Sequence, residues 1–419
     1  MTAWLGRTFY ALGNRPFRVL WIGSLLTFVA FFMSTIAQSV VAFDLTGTNR
    51  AVGMVVFAQG VAQLLTAPLG GATADRFSKR MVMLLCQLAI FAVFFIIGLL
   101  IAADLITIGL LAAGSFVVGM SFSFVGPSRQ AYVAEVVEPY RRGNAVALNQ
   151  VALNASRVVG PLLGGAMIAI AWSGTAGAYF GMAALYGLAI LSLLWLPATR
   201  ARAGNGRSVF GDIADGVRYV AHHPQLRVLL PFFALVMMVG FPYVTVLPGY
   251  VENQLGYHAG VISVLAGTSA AGGLAAALIV AGFADSPRAL TIYSIAGAVF
   301  GAGLLATAVA PSLWSAMVTM FAVGVGTGGF QTLNGAVILK LTDVTYYGRV
   351  MSLTMLAFAG FGLMALPIGV IADLAGERVI LAIMGATVIG IVALLSGVMV
   401  KVDAATRLAR ASAAPAEGG

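Results

Sequence analysis

The sequence predicts an all-α integral membrane protein with twelve transmembrane helices, and three observations carry this prediction. Hydrophobic residues make up 60% of the 419 residues and charged residues 9%, and the mean hydropathy is +0.99. Soluble domains carry about 25% charged residues, so a chain this apolar requires lipid as its solvent. The apolar residues also fall into runs of spanning length, and the basic residues gather in alternate loops between those runs.

Twelve runs are apolar over about 20 residues or more, which is the length that crosses a bilayer as a helix. We label them α1 to α12 in chain order. They are predicted at 17–43, 50–74, 80–103, 105–134, 144–171, 175–197, 227–251, 257–284, 288–310, 312–341, 348–373 and 377–401. The first run is far longer than the apolar core of a signal peptide and lacks an Ala-x-Ala end, so we interpret it as a spanning helix.

The basic residues set a predicted orientation. Twenty lysines and arginines fall on one side of the twelve helices, whereas Arg50 and Arg378 fall on the other. Loops rich in positive charge stay in the cytoplasm, so both termini are predicted to be cytoplasmic. The membrane is predicted to be a bacterial-type inner (plasma) membrane. We call the side with the twenty basic residues the predicted inner side.

The long inner stretch 198–226 divides the helices into six and six. Two echoes link the halves, because Asp75 after α2 corresponds to Asp285 after α8, and Gly143 before α5 corresponds to Gly348 before α11. We therefore predict two pseudo-symmetric six-helix halves. The predicted organisation is an N-terminal half 1–197, a linker 198–226 with an amphipathic helix, a C-terminal half 227–401 and a disordered tail 402–419.

The loop between α2 and α3 carries the most specific motif of the chain. It reads Gly71-Ala-Thr-Ala-Asp75-Arg76-Phe77-Ser78-Lys79-Arg80. This resembles the Gly-x-x-x-Asp-Arg-x-Gly-Arg/Lys-Arg/Lys loop of the major facilitator superfamily of secondary transporters. The resemblance implies the major facilitator fold, with a substrate site near the membrane midplane between two halves. A loop that only obeys the positive-inside rule is the alternative, but it leaves Gly71 and Asp75 unexplained.

The resemblance also implies a conformational latch on the predicted inner side. In the superfamily the acid that corresponds to Asp75 faces the positive N-terminus of helix 11, which here begins near Gly348. Such a charge–dipole contact stabilises by about 0.3–2 kcal/mol. Lys79 or Arg80 is expected to pair with Glu135 at the inner end of α4. The predicted latch comprises Gly71, Asp75, Arg76, Lys79, Arg80 and Glu135.

A second motif lies within α5. The residues Ser156, Gly160, Pro161, Gly164 and Gly165 resemble the Gly-x-x-x-Gly-Pro-x-x-Gly-Gly motif of drug-exporting antiporters, with Ser156 in place of the first glycine. The spacing of four residues places Ser156, Gly160 and Gly164 on one flat face. We expect this face to form a seam with the glycines of α8, and simple close packing is the alternative. Pro161 is expected to kink the helix, because proline lacks the N–H of one backbone hydrogen bond.

Arg157 is the arginine that the sequence places deepest inside a helix. It lies 14 residues past Gly143, about 21 Å along α5 at 1.5 Å per residue. A guanidinium at that depth is costly and faces a cavity or a partner, so we predict that Arg157 contacts substrate or senses the proton. A structural arginine that bridges helices is the alternative. The other substrate-cavity candidates are Gln38, Gln59, Gln63, Asn154, Phe241, Tyr243, Gln331 and Asn334.

The carboxylates are distributed unfavourably for proton coupling in the middle of the membrane. All fourteen aspartates and glutamates fall at helix ends, in loops or in the tail. A carboxylate at a helix end needs a raised pKa to carry a proton. The predicted proton-coupling candidates are Asp75 first, followed by Asp285, Glu252 and Asp373.

Two stretches of the chain favour a particular branch of the superfamily. The segment 38–80 and the run 240–248 resemble the branch that holds macrolide-efflux proteins, enterobactin exporters and transmembrane secretion effectors. The resemblance implies proton-coupled efflux of drugs, siderophores or related small molecules by alternating access. An importer or a lysolipid flippase of the same fold is the alternative. The expected partners are a small-molecule substrate, a coupling proton and the lipid bilayer, and the chain is expected to be a monomer.

Other function classes lack the residues that they require. His222, His223 and His258 are too few and too scattered for a catalytic cluster or a metal site, and the single Cys86 excludes a disulfide. The chain lacks the Gly-x-x-x-x-Gly-Lys-Ser/Thr loop of a primary pump. We therefore expect no enzyme activity, no metal and no cofactor. The net charge of +9 follows from membrane topology, so we expect no nucleic-acid partner. A passive scaffold would leave the polar residues inside the helices unexplained.

Overall fold

A computed structural model describes residues 10–170, 174–197, 209–283, 286, 288–343 and 346–413. Twelve helices in these ranges are long and apolar enough to cross a membrane, and no strand occurs among the described residues. The prediction of an all-α membrane protein with twelve spans is therefore confirmed.

The observed helices lie close to the predicted runs. Their bounds are α1 Arg15–Thr46, α2 Asn49–Arg76, α3 Lys79–Ala102, α4 Ile108–Val136, α5 Arg142–Ile168, α6 Gly174–Leu194, α7 Leu226–Gln254, α8 Ile262–Ala281, α9 Ala289–Ala308, α10 Leu313–Leu341, α11 Tyr347–Ala375 and α12 Glu377–Ala413. A shorter helix, Val209–His222, lies between α6 and α7, and we call it the linker helix.

Local capping explains several helix ends. The Asn14 side chain accepts a hydrogen bond from the Phe17 N–H at 3.0 Å and so satisfies one of the free donors at the start of α1. The same helix ends at Gly47, whose φ of 63° is left-handed and suits a residue without a side chain. Thr107 caps α4 in the same way as Asn14 caps α1.

α7 is segmented rather than continuous. It consists of Leu226–Gly240, Tyr243–Gly249 and a π-helical turn Tyr250–Gln254. Pro248 lies just before the wide turn, and proline removes a backbone donor and disturbs regular α-helical bonding. The end of α7 therefore presents its polar side chains, Asn253 and Gln254, in a different direction from a regular helix.

The disorder predicted for 402–419 stays a prediction. α12 continues as one helix to Ala413. Alanine has the highest helix propensity of the amino acids. Residues 414–419 lie outside the described residues.

The chain forms two compact units. Unit 1 contains Met1–Val209, Val244–Gly267 and Gly362–Glu377. Within it, α1 packs against α5 and α6, α2 against α4, and α3 against α4 and α6. Unit 1 thus gathers the first six helices together with the end of α7, the start of α8 and the end of α11. The six-and-six division of the chain at 198–226 stays a prediction about sequence order.

Unit 2 contains Phe210–Tyr243, Thr268–Phe361 and Arg378–Gly419. Its core includes a stack of aromatic rings, in which Tyr293 and Phe330 lie with ring centroids 4.2 Å apart. The linker helix belongs to this unit. Its Tyr219 hydroxyl donates to the Asp343 carboxylate at 3.2 Å, and the Tyr219 ring stacks on Tyr346 at 4.2 Å. These contacts attach the linker helix to the loop between α10 and α11.

Candidate functional site

A cluster of polar side chains closes one end of unit 1, and we call it the outer cluster because it lies on the predicted outer side. It comprises Asn49, Asn253, Gln254, Asp373 and Glu377. These residues come from the start of α2, the end of α7, the end of α11 and the start of α12. The cluster therefore ties together segments that lie far apart in the sequence.

Asp373 caps α2 from a distance of 324 residues. Its carboxylate oxygens accept the backbone N–H of Asn49 at 2.7 Å and that of Arg50 at 3.0 Å. The local cap residue, Thr48, makes no such side-chain bond. A carboxylate at a helix N-terminus satisfies free donors and also interacts favourably with the helix dipole. The start of α2 is thus stabilised by α11.

The Glu377 carboxylate accepts hydrogen bonds from three side-chain amides. It accepts from Asn253 Nδ2 at 2.7 Å, from Gln254 Nε2 at 3.0 Å and from Asn49 Nδ2 at 3.0 Å. The residue is 5% exposed, so its charge depends on these donors rather than on water. The amide of Asn49 also donates to Asp373 at 3.1 Å and joins the two carboxylates. A Cβ on Gly249 would overlap the Asn49 amide, so the cluster requires glycine there.

A glycine seam runs from the outer cluster along α2 and α11. Gly53 and Gly60 on α2 have the same spacing of seven residues as Gly362 and Gly369 on α11. A Cβ on Gly60 would lie 2.6 Å from the Gly362 Cα, and one on Gly369 would lie 2.6 Å from the Asn49 carbonyl oxygen. The two helices therefore touch backbone to backbone, which only small residues permit.

The motif between α2 and α3 is partly described. Lys79 Nζ lies 2.6 Å from Glu135 Oε1, and Lys79 is 3% exposed. Arg80 instead donates to the Leu194 carbonyl at 2.8 Å, at the C-terminus of α6, where a cation interacts favourably with the helix dipole. Of the two bases considered for Glu135, the structure pairs Lys79. The contact joins α3 to α4 within unit 1.

The remaining latch residues lie at the end of α2. Gly71, Asp75 and Arg76 occupy the last turns of that helix. The side chains of Asp75 and Arg76 lie outside the described part of the chain, as does the whole of Asp285. The role of Asp75 opposite the start of α11 stays a prediction from the sequence.

The glycines of α5 pack against a different helix from the one expected. A Cβ on Gly160 would lie 2.6 Å from the Phe32 Cβ, and one on Gly164 would lie 3.3 Å from the Met33 carbonyl oxygen, so both face α1. Gly160 and Gly164 therefore lie against α1, and the seam predicted for Ser156, Gly160 and Gly164 with α8 is wrong for these two glycines. The α8 glycines Gly272 and Gly273 instead face Phe321 and Gly324 of α10.

α5 still touches α8 through other residues of its motif. A Cβ on Gly165 would overlap the Ser263 side chain, and one on Gly267 would approach Leu162. Spacing predicts a flat face, but it does not determine which neighbouring helix uses that face. Pro161 lies inside α5, which continues to Ile168.

Arg157 lies on α5 beside an aromatic surface. Its guanidinium carbon is 5.8 Å from the centroid of the Phe32 ring, within the range of a cation–π interaction. Phe31 stacks on Phe122 of α4 with centroids 4.7 Å apart. Arg157 and its helix neighbour Asn154 are both partly exposed, as are Gln59 and Gln63 on α2.

Several predicted cavity residues are instead buried within their own unit. Gln38 accepts a hydrogen bond from Ser115 at 3.0 Å, which links α1 to α4. Tyr243 is buried against Phe300 and Ser269, and Asn334 is 2% exposed. All three are buried among packed helices, and their part in a substrate cavity stays a prediction. Phe241 and Gln331 remain partly exposed, and Glu252 is exposed on the turn that ends α7.

Sequence reasoning missed two features of the site. The outer cluster was not recognised, although Asp373 was a proton-coupling candidate, because its partners Asn49 and Asn253 carry no motif. Arg129 was assigned to the predicted inner side on the basis of topology. It lies inside α4 with its guanidinium carbon 4.2 Å from the Phe28 ring centroid, beside a cavity of about 10 Å³ that has room for about one water molecule.

Comparison with known proteins identifies the family. The sequence profile described as Major Facilitator Superfamily matches residues 20–362. The chain belongs to the Major Facilitator Superfamily. The superfamily consists of transporters rather than enzymes, so the chain is a multi-pass transporter of small molecules.

Similar transporters are known from sequence and from structure. The staphyloferrin A transporter of Staphylococcus aureus (strain NCTC 8325 / PS 47) is 23% identical over 350 residues, which cover 83% of this chain and 87% of that protein. The nucleoside transporter NupG has a TM-score of 0.71 at 13% identity, over 92% of this chain and 99% of that one. A POT family transporter in complex with 5-aminolevulinic acid has a TM-score of 0.75 at 12% identity, over 93% and 97%. The two structures show a shared fold alone.

Proposed function

We propose that this superfamily member is a secondary active transporter that exports small molecules in exchange for protons, by alternating access. The observation that carries the proposal is the outer cluster with its glycine seam. Two carboxylates, Asp373 and Glu377, hold α2, α7, α11 and α12 together at one end of unit 1. A transporter that works by alternating access needs such a closure, and it must be able to break it.

Protonation provides a way to break this closure. An ionised carboxylate accepts hydrogen bonds from N–H donors and interacts favourably with a helix N-terminus, and both contributions weaken when it gains a proton. Asp373 would then release the start of α2. On the predicted inner side, Asp75 has the corresponding place at the end of α2. Asp373 of α11 thus contacts the start of α2, and Asp75 lies at the end of α2. An acid at each end of α2 supports the proposal that closure is coupled to proton movement.

The proposed direction of transport and the proposed class of cargo are supported by resemblance to other transporters. The α5 residues Ser156, Gly160, Pro161, Gly164 and Gly165 resemble the motif of exporting antiporters. The Staphylococcus aureus relative is named as a transporter of staphyloferrin A, a siderophore, and export of siderophores or drugs is the function that we propose here. Import, or flipping of lysolipids, by the same closure is the alternative.

The proposal is tested with two dyes of similar size and opposite charge, fluorescein and rhodamine 123. Cells that lack their own efflux pumps are loaded with each dye, and efflux is followed with and without a protonophore. We expect at least one dye to leave faster from cells that make the protein, and we expect the protonophore to remove that difference. Equal efflux of both dyes with and without the protein would contradict proton-driven export of such molecules.

Replacement of Asp75 by asparagine tests the inner acid. Asp75→Asn keeps the size of the side chain and removes its charge, so we expect efflux to fall about tenfold, as for the loss of a contact of about 1.4 kcal/mol. The amount of protein in the membrane is the control and should stay unchanged. Efflux at the wild-type rate would contradict the role of Asp75.

A further inference from the structure

Two arginines of unit 1 lie inside spanning helices, away from the helix ends. Arg157 lies eleven residues before the end of α5 at Ile168, and Arg129 lies seven residues before the end of α4 at Val136. The described carboxylates of unit 1 lie at helix ends or in loops. The field inside the spanning part of unit 1 is therefore positive, and in a medium of low dielectric constant it attracts anions and repels cations.

Arg157 is the cation that a ligand would reach. Its side chain is partly exposed, as are the neighbouring Phe32 and Asn154. Arg129 is partly exposed as well, but the ring beside it, Phe28, is only 3% exposed, whereas Phe32 is partly exposed. Arginine presents several N–H donors in a planar fork that matches the two oxygens of a carboxylate. Arg157 thus combines access, charge and suitable geometry.

The surroundings of Arg157 add contacts for a planar group. Phe32 lies 5.8 Å from the guanidinium carbon, and Phe31 meets Phe32 edge to face at 5.5 Å. Aromatic faces bind planar rings through stacking. Because these residues lie on α1 next to α5, a ligand that reaches the guanidinium also meets an aromatic surface.

We infer that Arg157 is an anion-binding residue and that the cargo carries a carboxylate or a comparable anionic group. This inference rests on the transport function proposed above and narrows it to anionic molecules. The anionic group can belong to a free solute or to a lipid headgroup, and the two sources share the same chemistry at Arg157. Lipophilic cations, the typical cargo of many drug exporters, are expected to be rejected.

Direct binding tests the inference without any ion gradient. The full chain is purified into phosphatidylcholine nanodiscs, and binding of fluorescein and rhodamine 123 is measured by fluorescence anisotropy. We expect fluorescein to bind and rhodamine 123 not to bind. Arg157→Gln should weaken fluorescein binding at least tenfold, and Arg157→Lys should recover part of the loss because it retains the charge. Arg18→Gln is the matched control, since Arg18 is exposed near the start of α1, and it should bind like the wild type.

Each outcome decides a separate point. Binding of rhodamine 123 in preference to fluorescein, or fluorescein binding that Arg157→Gln leaves unchanged, would overturn the inference, as would the absence of fluorescein binding. Arg157-dependent binding without protonophore-sensitive efflux in cells would retain the anion site and contradict proton-driven export. Displacement of fluorescein when phosphatidylglycerol is added to the nanodiscs would assign the anion to a lipid headgroup, and the absence of displacement would assign it to a free solute.

Discussion

Gly60→Ala is expected to open the predicted outer end of unit 1 and to slow transport. The new Cβ would lie 2.6 Å from the Gly362 Cα and 2.9 Å from its carbonyl carbon. Both atoms belong to the backbone, so no rotamer change relieves the clash and α2 must move away from α11. Overpacking of this kind costs about 2 kcal/mol, which corresponds to a roughly 30-fold shift away from the closed arrangement.

The separation of α2 from α11 is measured by labelling of a cysteine at position 50 and by the transport rate. A single cysteine at Arg50, in a chain with Cys86→Ser, should react faster with a membrane-impermeant maleimide when Gly60→Ala is present. Gly126→Ala is the matched control, because a Cβ there meets nothing within 4 Å and both changes raise helix propensity equally. Equal labelling and equal transport in the two variants would show that the glycine seam does not hold the helices together.

Glu377→Ala should have the second large effect, through the outer cluster. It would remove the acceptor that Glu377 offers to the side-chain amides of Asn253 and Gln254, and one of the two acceptors of the Asn49 amide, which keeps Asp373. Asn253 is exposed and Gln254 is partly exposed, so water can replace part of what they lose. We therefore expect the closed arrangement to lose about 1.4 kcal/mol, the value of about one hydrogen bond to a charged group, which corresponds to a roughly tenfold shift toward the open arrangement.

The same maleimide assay measures this shift. Glu377→Gln should have a smaller effect than Glu377→Ala, because the amide keeps one carbonyl acceptor. Asp104→Asn is the control, since it removes an exposed negative charge on the same predicted side of the protein, outside the outer cluster. If labelling and transport were the same for Glu377→Ala and Asp104→Asn, the outer cluster would have no part in closure.

Composition and apolar run length were sufficient to predict the architecture. A helix that spans lipid must be apolar along its whole length, and this requirement is visible in each of the twelve runs. The motif between α2 and α3 also led to the pair of Lys79 with Glu135, because a resemblance in sequence implies a resemblance in neighbours. The prediction of twelve helices depends on the composition of each run by itself. The prediction of the pair with Glu135 depends on a motif whose contacts recur in its family.

Contacts between distant segments were not predictable in the same way. The spacing of Gly160 and Gly164 indicates close packing, but it does not distinguish α1 from α8 as the partner. Asp373 and Asn49 lie 324 residues apart, and nothing in either segment marks one as the cap of the other.

The most direct test of the account is a reversible cross-link across the outer end. A Cβ on Gly369 would lie 3.1 Å from the Arg50 Cα, so cysteines at these two positions are close enough for a disulfide. The reduced pair serves as its own baseline, because the cysteine side chain at Gly369 also crowds the Asn49 carbonyl oxygen at 2.6 Å. The pair is introduced together with Cys86→Ser, and transport of the dye that the wild-type chain moves is measured before oxidation, after oxidation and after reduction. If α2 and α11 must part in every transport cycle, oxidation should stop transport and reduction should restore it. Transport at an unchanged rate by the cross-linked protein would contradict the central claim that the outer cluster opens and closes.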